Sequence, residues 1–401
     1  MKTLIHTIAE APAPTTDTGQ GWPVLRLGFR PFYLAAALFA ALAIPAWVLM
    51  FLGRVAWTPV LPAHLWHAHE MLFGFAAAVI VGFLMTAGKA WTGLPTPRSG
   101  ALAALVLLWL GARVAAFLAP YPVFAALDLL LLPVVAVVLL RLLLRAGNRR
   151  NLPLAGLLGL LALANLVFHL SVLGYLDLQP VRALYAALAL IVLIESVMAG
   201  RVVPAFTMSA IPGLRLKLDP RMEKATAAVT VSALLAWVFA PSNAISAPLL
   251  VLAAVMQLAR LAAWKPWRTR GRPILWILHL SYAWIPVGFL LLAMGLAGWM
   301  TASAGIHALA IGATGGLIIG MVTRTARGHT GRPLLASPLE VAAYSLIMLA
   351  ALLRVVVPLL APQWLVASLV AAALAWSLAF MLYLARFTPW LLSARIDGKD
   401  G

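Results

Sequence analysis

The sequence contains no cysteine, an absence that removes disulfide bridges, thiolate metal sites and the C-x-x-C-H attachment of a c-type haem. Acidic residues are scarce, 11 Asp and Glu against 29 Lys and Arg, for a formal net charge of +18. Charged residues make up only 10% of the chain, too few to cover a soluble 401-residue fold. The first 25 residues, through "APAPTTDTGQG", lack the apolar core of a signal peptide and read as a short cytoplasmic tail. No polar segment is long enough to fold alone, and no recognisable nucleotide or sugar motif interrupts the apolar runs.

Those apolar runs are what the sequence has in abundance. It is 64% hydrophobic, with a mean hydropathy of +1.01. Runs of about 20 residues, the length a helix needs to cross the bilayer core, recur from end to end. The pattern predicts an all-α, polytopic membrane protein. Its twelve helices fall at about 30–53, 65–88, 99–119, 122–144, 152–174, 181–200, 223–240, 244–264, 273–299, 303–325, 338–360 and 364–386. This makes one membrane domain over 26–390, between cytoplasmic tails at 1–25 and 391–401.

With both termini cytoplasmic, the inner segments collect 25 of the 29 Lys and Arg, in stretches such as "RLLLRAGNRR", "RLKLDPRMEK" and "RTARGHTGR". Only Arg54, Arg113, Arg182 and Arg354 fall on the outer half, a positive-inside distribution. The basic character is therefore topology plus attraction to anionic lipid headgroups, and nucleic-acid binding is not needed to explain it. The longest inner loop runs from about Arg201 to Met222 and begins "GRVVPAFTMSAIPG", apolar enough to dip back toward the membrane.

Ionisable side chains inside a membrane are costly and are functional candidates by default. At about 1.5 Å per residue, the stretch "LWHAHEMLFGF" puts His67 and His69 at the outer start of the second helix. His169 lies near the outer end of the fifth helix and His307 near the outer start of the tenth. Three helices remote in sequence thus place imidazoles at one level. Imidazole ligates haem iron, copper and zinc, so this layer is the candidate metal or haem site, against the reading as interhelical hydrogen bonds. Residues i and i+2 point about 200° apart on a regular helix. Either that helix starts irregularly after Pro62, or His67 and His69 serve different centres. His67 and Glu70, at i and i+3, share a face, which makes Glu70 the candidate for orienting an imidazole or carrying protons.

Arg113 and Arg354 lie inside their helix ends and suit haem propionates, with Asp128 as the competing ion-pair partner of Arg113. His279 and His329 lie toward the inner face and are candidates for a second site, while His64 belongs at the outer water interface and His6 in the tail. Gly312, Gly316 and Gly320 form a small-residue face, read as close helix packing or as a floor for a flat macrocycle. Helices two and ten also echo one another: each has a histidine at its outer start and a similar inner turn, "TGLP" and "TGRP", with spacings that differ by two residues.

Five stretches together resemble the NnrS family: "RPFYLAAALFA", "WHAHEMLFGFAAAVIVGFLMTA", "GRVVPAFT", "LWILHLSYAW" and "HALAIGATGGLIIGMVTRTARGHTGRPL". They span helices one to ten. The resemblance implies a twelve-helix bacterial inner-membrane protein carrying haem and copper, with a role in relieving nitric-oxide stress. Without cysteine the haem is expected to be b-type and imidazole-bound. Nitric oxide is the expected substrate, with an electron donor such as a quinol or a cytochrome. The rival reading is a transporter or handler of haem, copper or a metal–nitrosyl complex.

Overall fold

A computed structural model describes residues 21–399 of the chain. Its twelve long apolar helices are α1 (Phe29–Phe51), α2 (Ala63–Thr92), α3 (Ser99–Leu118), α4 (Tyr121–Arg145), α5 (Arg149–Val172), α6 (Pro180–Ala210), α7 (Pro220–Phe239), α8 (Ser246–Ala263), α9 (Pro273–Leu296), α10 (Ala302–His329), α11 (Pro338–Leu360) and α12 (Pro362–Leu392). No strand occurs among the described residues. The expected spans and the observed helices agree closely at most ends, because a sustained apolar run leaves the backbone no partner in lipid but its own next turn.

Three ends run further than hydropathy indicates. Helix α6 continues through "GRVVPAFTMSA" to Ala210, so the inner loop expected from Arg201 shrinks to residues 211–219. Pro204 sits inside α6; the backbone bond it removes is tolerated in a helix packed among others. Helix α10 runs on to His329 and α12 to Leu392. The segment after α12 is strapped to the bundle. Arg30 Nη1 donates to the carbonyls of Leu391 (2.8 Å) and Ser393 (2.7 Å), and Arg395 Nη1 donates to the His329 carbonyl at 3.1 Å. The two ends of the described chain therefore lie on one face, as an even number of spans requires. The distribution of Lys and Arg leads to the expectation that this face is cytoplasmic. Reporter fusions at the C-terminus test the assignment: a cytoplasmic reporter is expected to be active there, and an active periplasmic one would invert every depth below.

Helices α2 and α10 form the centre. Their most apolar windows are 78% and 72% buried in protein, against 39% in α3, α4 and α11, which leave the rest of that surface to lipid. Each central helix also holds a π-helical stretch immediately after a histidine: Glu70–Ala76 follows His69, and Ala308–Gly315 follows His307. π-Helical turns are rare and concentrate at functional sites. They extend the sequence echo between the two helices into backbone geometry. The glycine face of α10 is packing: Gly312 faces Trp284, Gly316 faces Ser281, and a Cβ on Gly320 would stand 2.7 Å from Leu278.

Candidate functional site

The four outer histidines form two pairs on opposite sides of α2. His67 and His307 border one cavity of about 370 Å³, with Arg354 of α11 on the same wall. The rest of the lining is mainly apolar and includes Met71, Tyr185, Leu188 and Trp376. His307 is held by its own helix: its Nδ1 is 2.8 Å from the Ser303 carbonyl, an acceptor, so Nδ1 donates and Nε2 keeps its lone pair. The His67 ring stacks on Trp47, with centroids 4.1 Å apart and planes 22° apart, and its Nδ1 is buried without a hydrogen-bond partner. His64, read as an interface residue, is exposed and also borders this cavity. His6 lies outside the described residues.

The second pair lies in a closed polar cluster between α2, α3, α4 and α5. One ligand atom each from His69, Asp128 and His169 lie within 4.8 Å of one another. His69 Nδ1 faces Glu70 Oε1 at 3.1 Å, and its Nε2 faces Asn165 Oδ1 at 3.1 Å and Asp128 Oδ2 at 3.3 Å. His169 places Nε2 3.2 Å from Asp128 Oδ2 and Nδ1 2.8 Å from the Tyr121 hydroxyl. Arg113 pairs with Asp128 through Nη2 and stands 3.2 Å from Glu70 Oε2 through Nη1, in a direction too poor for a hydrogen bond. The fixed charges are one guanidinium against two carboxylates. One further positive charge, a proton on an imidazole or a monovalent metal ion, balances them.

This geometry bears on two expectations. Arg113 does not reach the outer cavity; the ion pair with Asp128 takes it. Glu70 does not accompany His67. The backbone from His67 to Glu70 is regular α-helix, with the Glu70 N–H bonded to the Trp66 carbonyl; the Glu70 carboxylate turns instead toward His69 and Arg113. Gly74 makes room for this, since a Cβ there would stand 2.7 Å from Arg113 Nη1.

Of the inner candidates, His279 packs between α9 and α6, its Nε2 3.0 Å from Thr207 Oγ1. His329 stands apart from it, at 5.4 Å from the Phe29 ring and on the wall of an inner cavity of about 620 Å³. The two do not share a site. Between the outer and inner cavities lies a third of about 90 Å³, bordered by Glu195 of α6. Thr314, on the wall of the outer cavity, donates to Glu195 Oε2 at 3.1 Å. Phe83, Met198, Val202 and Met321 border both the middle and the inner cavity. No salt bridge to Glu195 is formed among the described residues. The sequence already groups Glu195, just before "AGRVVPAFT", with Arg201, His279, Arg324 and His329 in the inner half, as a solvated cluster or else a second haem site or proton entry route.

A further network escaped sequence reasoning. Arg260 of α8 pairs with Glu223 of α7 and donates to the Ser196 carbonyl and the Tyr282 hydroxyl, both at 3.0 Å. Gly200 exists to let this side chain pass, because a Cβ there would collide with the Arg260 guanidinium. Gly200→Ala is expected to cost about 1–3 kcal/mol, the range for overpacking. Thermal unfolding in detergent checks this.

A family model described as NnrS protein matches residues 23–395 of the 401. No curated protein matches the chain.

Proposed function

Since the chain belongs to the NnrS family over residues 23–395, we propose that it binds b-type haem in the outer cavity and acts there on nitric oxide as a reductase. The observation that carries this reading is the convergence of His67, His307 and Arg354, from three helices, on one largely apolar cavity. The residues fit the group. His307 offers an oriented Nε2, Arg354 suits a propionate, and the volume of about 370 Å³ is in the range of cofactor pockets. Bound haem supplies the redox electron and a coordination position for a diatomic ligand. His307 would hold the group, His67 faces the same space from the other central helix, and the apolar walls would admit a gas that partitions into lipid while limiting water.

Reduction of nitric oxide consumes protons as well as electrons. Glu195 is the carboxyl placed to pass them, because Oε2 accepts from the Thr314 hydroxyl that borders the outer cavity, and the rest of the residue borders the middle one. The closed cluster suits copper, with His69 Nε2, His169 Nε2 and Asp128 Oδ2 as donors and Glu70 orienting His69. Its charge deficit of one favours the monovalent ion. The three cavities in series from outer to inner face support the rival, a carrier of haem or metal. A pyridine haemochrome spectrum, acid–acetone extraction and anaerobic nitric-oxide decay on the purified protein separate the readings. Extractable b-type haem at stoichiometric level with nitric-oxide consumption is expected. Substoichiometric haem without consumption, across several electron donors, would move the assignment to transport.

A further inference from the structure

The inner cavity collects positive charge that the membrane topology alone does not account for. Arg150, Arg201, Arg324 and Arg395 border its roughly 620 Å³, together with His329, and no Asp or Glu is among its lining residues. Basic residues placed only by the positive-inside rule extend into water. Arg324 does the opposite: it is 7% exposed, lies inside α10, and stacks its guanidinium over Phe206 at 3.8 Å. It forms no ion pair or hydrogen bond among the described residues, in contrast to Arg113, Arg260 and Arg327, each of which holds a carboxylate. Its nitrogens open onto the cavity, and a cation held there without a protein counter-charge is costly in a way that a bound anion would relieve.

The surrounding donors are arranged for one. Arg201 is steadied through Nη1 by Asn151 Oδ1 at 2.8 Å, which leaves the rest of its fork for another acceptor. Arg150, one residue before Asn151, brings a second guanidinium to the same wall. Arg395 is already committed to Asp397 and to the His329 carbonyl, so it closes the cavity rather than serving as the principal donor. Three guanidiniums from α5, α6 and α10 around one cavity match a group with several oxygens and more than one negative charge.

We propose that the inner cavity is a binding site for a phosphate group, held by Arg324 with Arg201 and Arg150. Two sources share that chemistry: soluble phosphate or pyrophosphate on the cytoplasmic side, and the headgroup of an anionic phospholipid. The site stands independently of the outer cavity and of any cofactor there.

The test uses the full-length protein in nanodiscs of phosphatidylcholine alone or with phosphatidylglycerol, as wild type, Arg324→Met and Arg201→Gln. Thermal unfolding is followed with added pyrophosphate, and native mass spectrometry counts retained phosphatidylglycerol. Arg324→Met removes an unpaired buried charge while keeping the side-chain bulk, so it is expected to fold. Stabilisation by pyrophosphate in wild type, weakened about tenfold in apparent affinity in both variants, identifies a site for soluble phosphate. Retention of phosphatidylglycerol by wild type and its loss from Arg324→Met, without a pyrophosphate effect, identifies the headgroup. Equal behaviour of wild type and Arg324→Met toward both probes would overturn the proposal. So would two haems per chain, one of them lost in Arg324→Met.

Discussion

His307→Ala is expected to strip most haem from the purified protein, whereas His67→Ala is expected to retain it with an altered optical spectrum. The two imidazoles share a cavity but not a role. His307 is pre-oriented, since its Nδ1–H is spent on the Ser303 carbonyl one turn back and Nε2 points outward as a lone pair. Fixing the tautomer and the ring plane in this way raises ligand basicity and lowers the entropy lost on coordination. His67 has no such tether: it rests on Trp47, and its Nδ1 lacks a partner. Arg354→Ala removes a charge-assisted contact of about 1.5–3 kcal/mol, so haem affinity should fall roughly tenfold to a hundredfold. His69→Ala and His169→Ala should leave haem in place and lower copper content, because both side chains lie in the closed cluster. Haem and copper quantified per polypeptide for these five variants give the answer. Wild-type haem in His307→Ala would remove the outer cavity from consideration.

Glu195→Gln is expected to slow nitric-oxide turnover by roughly a hundredfold, within the usual range for losing a proton-transfer group, at unchanged haem content. Glutamine keeps the bond from Thr314 but cannot take up and release a proton. Glu70→Gln should act differently. It weakens a buried ion pair with Arg113 and the carboxylate bond to His69, so the expected loss is stability, on the order of 3–5 kcal/mol if the pair is broken outright. Turnover per folded, haem-loaded molecule should then change little. The measurements are nitric-oxide decay with a chemical reductant, nitrous-oxide detection, and unfolding midpoints of both variants. If Glu195→Gln turns over normally while Glu70→Gln does not, the proton route runs through the closed cluster instead.

Much of this protein was legible before any tertiary contact. Hydropathy placed all twelve helices, since the bilayer requires each span to satisfy its backbone within itself. The paired readings of His67 and His69 were open in sequence because i and i+2 diverge on a helix, and packing placed the two rings in separate surroundings. Both readings of Arg113 were also on the table, and Asp128, 15 residues away on the next helix, settled it. Where the side chain departs from the expected face, at Glu70, the cause is its partners: the backbone up to Glu70 is regular α-helix, and His69 and Arg113 draw the carboxylate to their side.

Helix number, the approximate place of each ionisable group along its helix and the family resemblance follow from the sequence by itself, because each depends on properties that add along the chain. Tertiary structure alone decided which side chains meet. Glu195 and Thr314 are 119 residues apart, and His69 and Asn165 are 96 apart. Their pairing depends on the rotation of each helix about its own axis and on which neighbours it packs against. A nearly uniform apolar stretch fixes neither, since its hydrophobic face points almost everywhere.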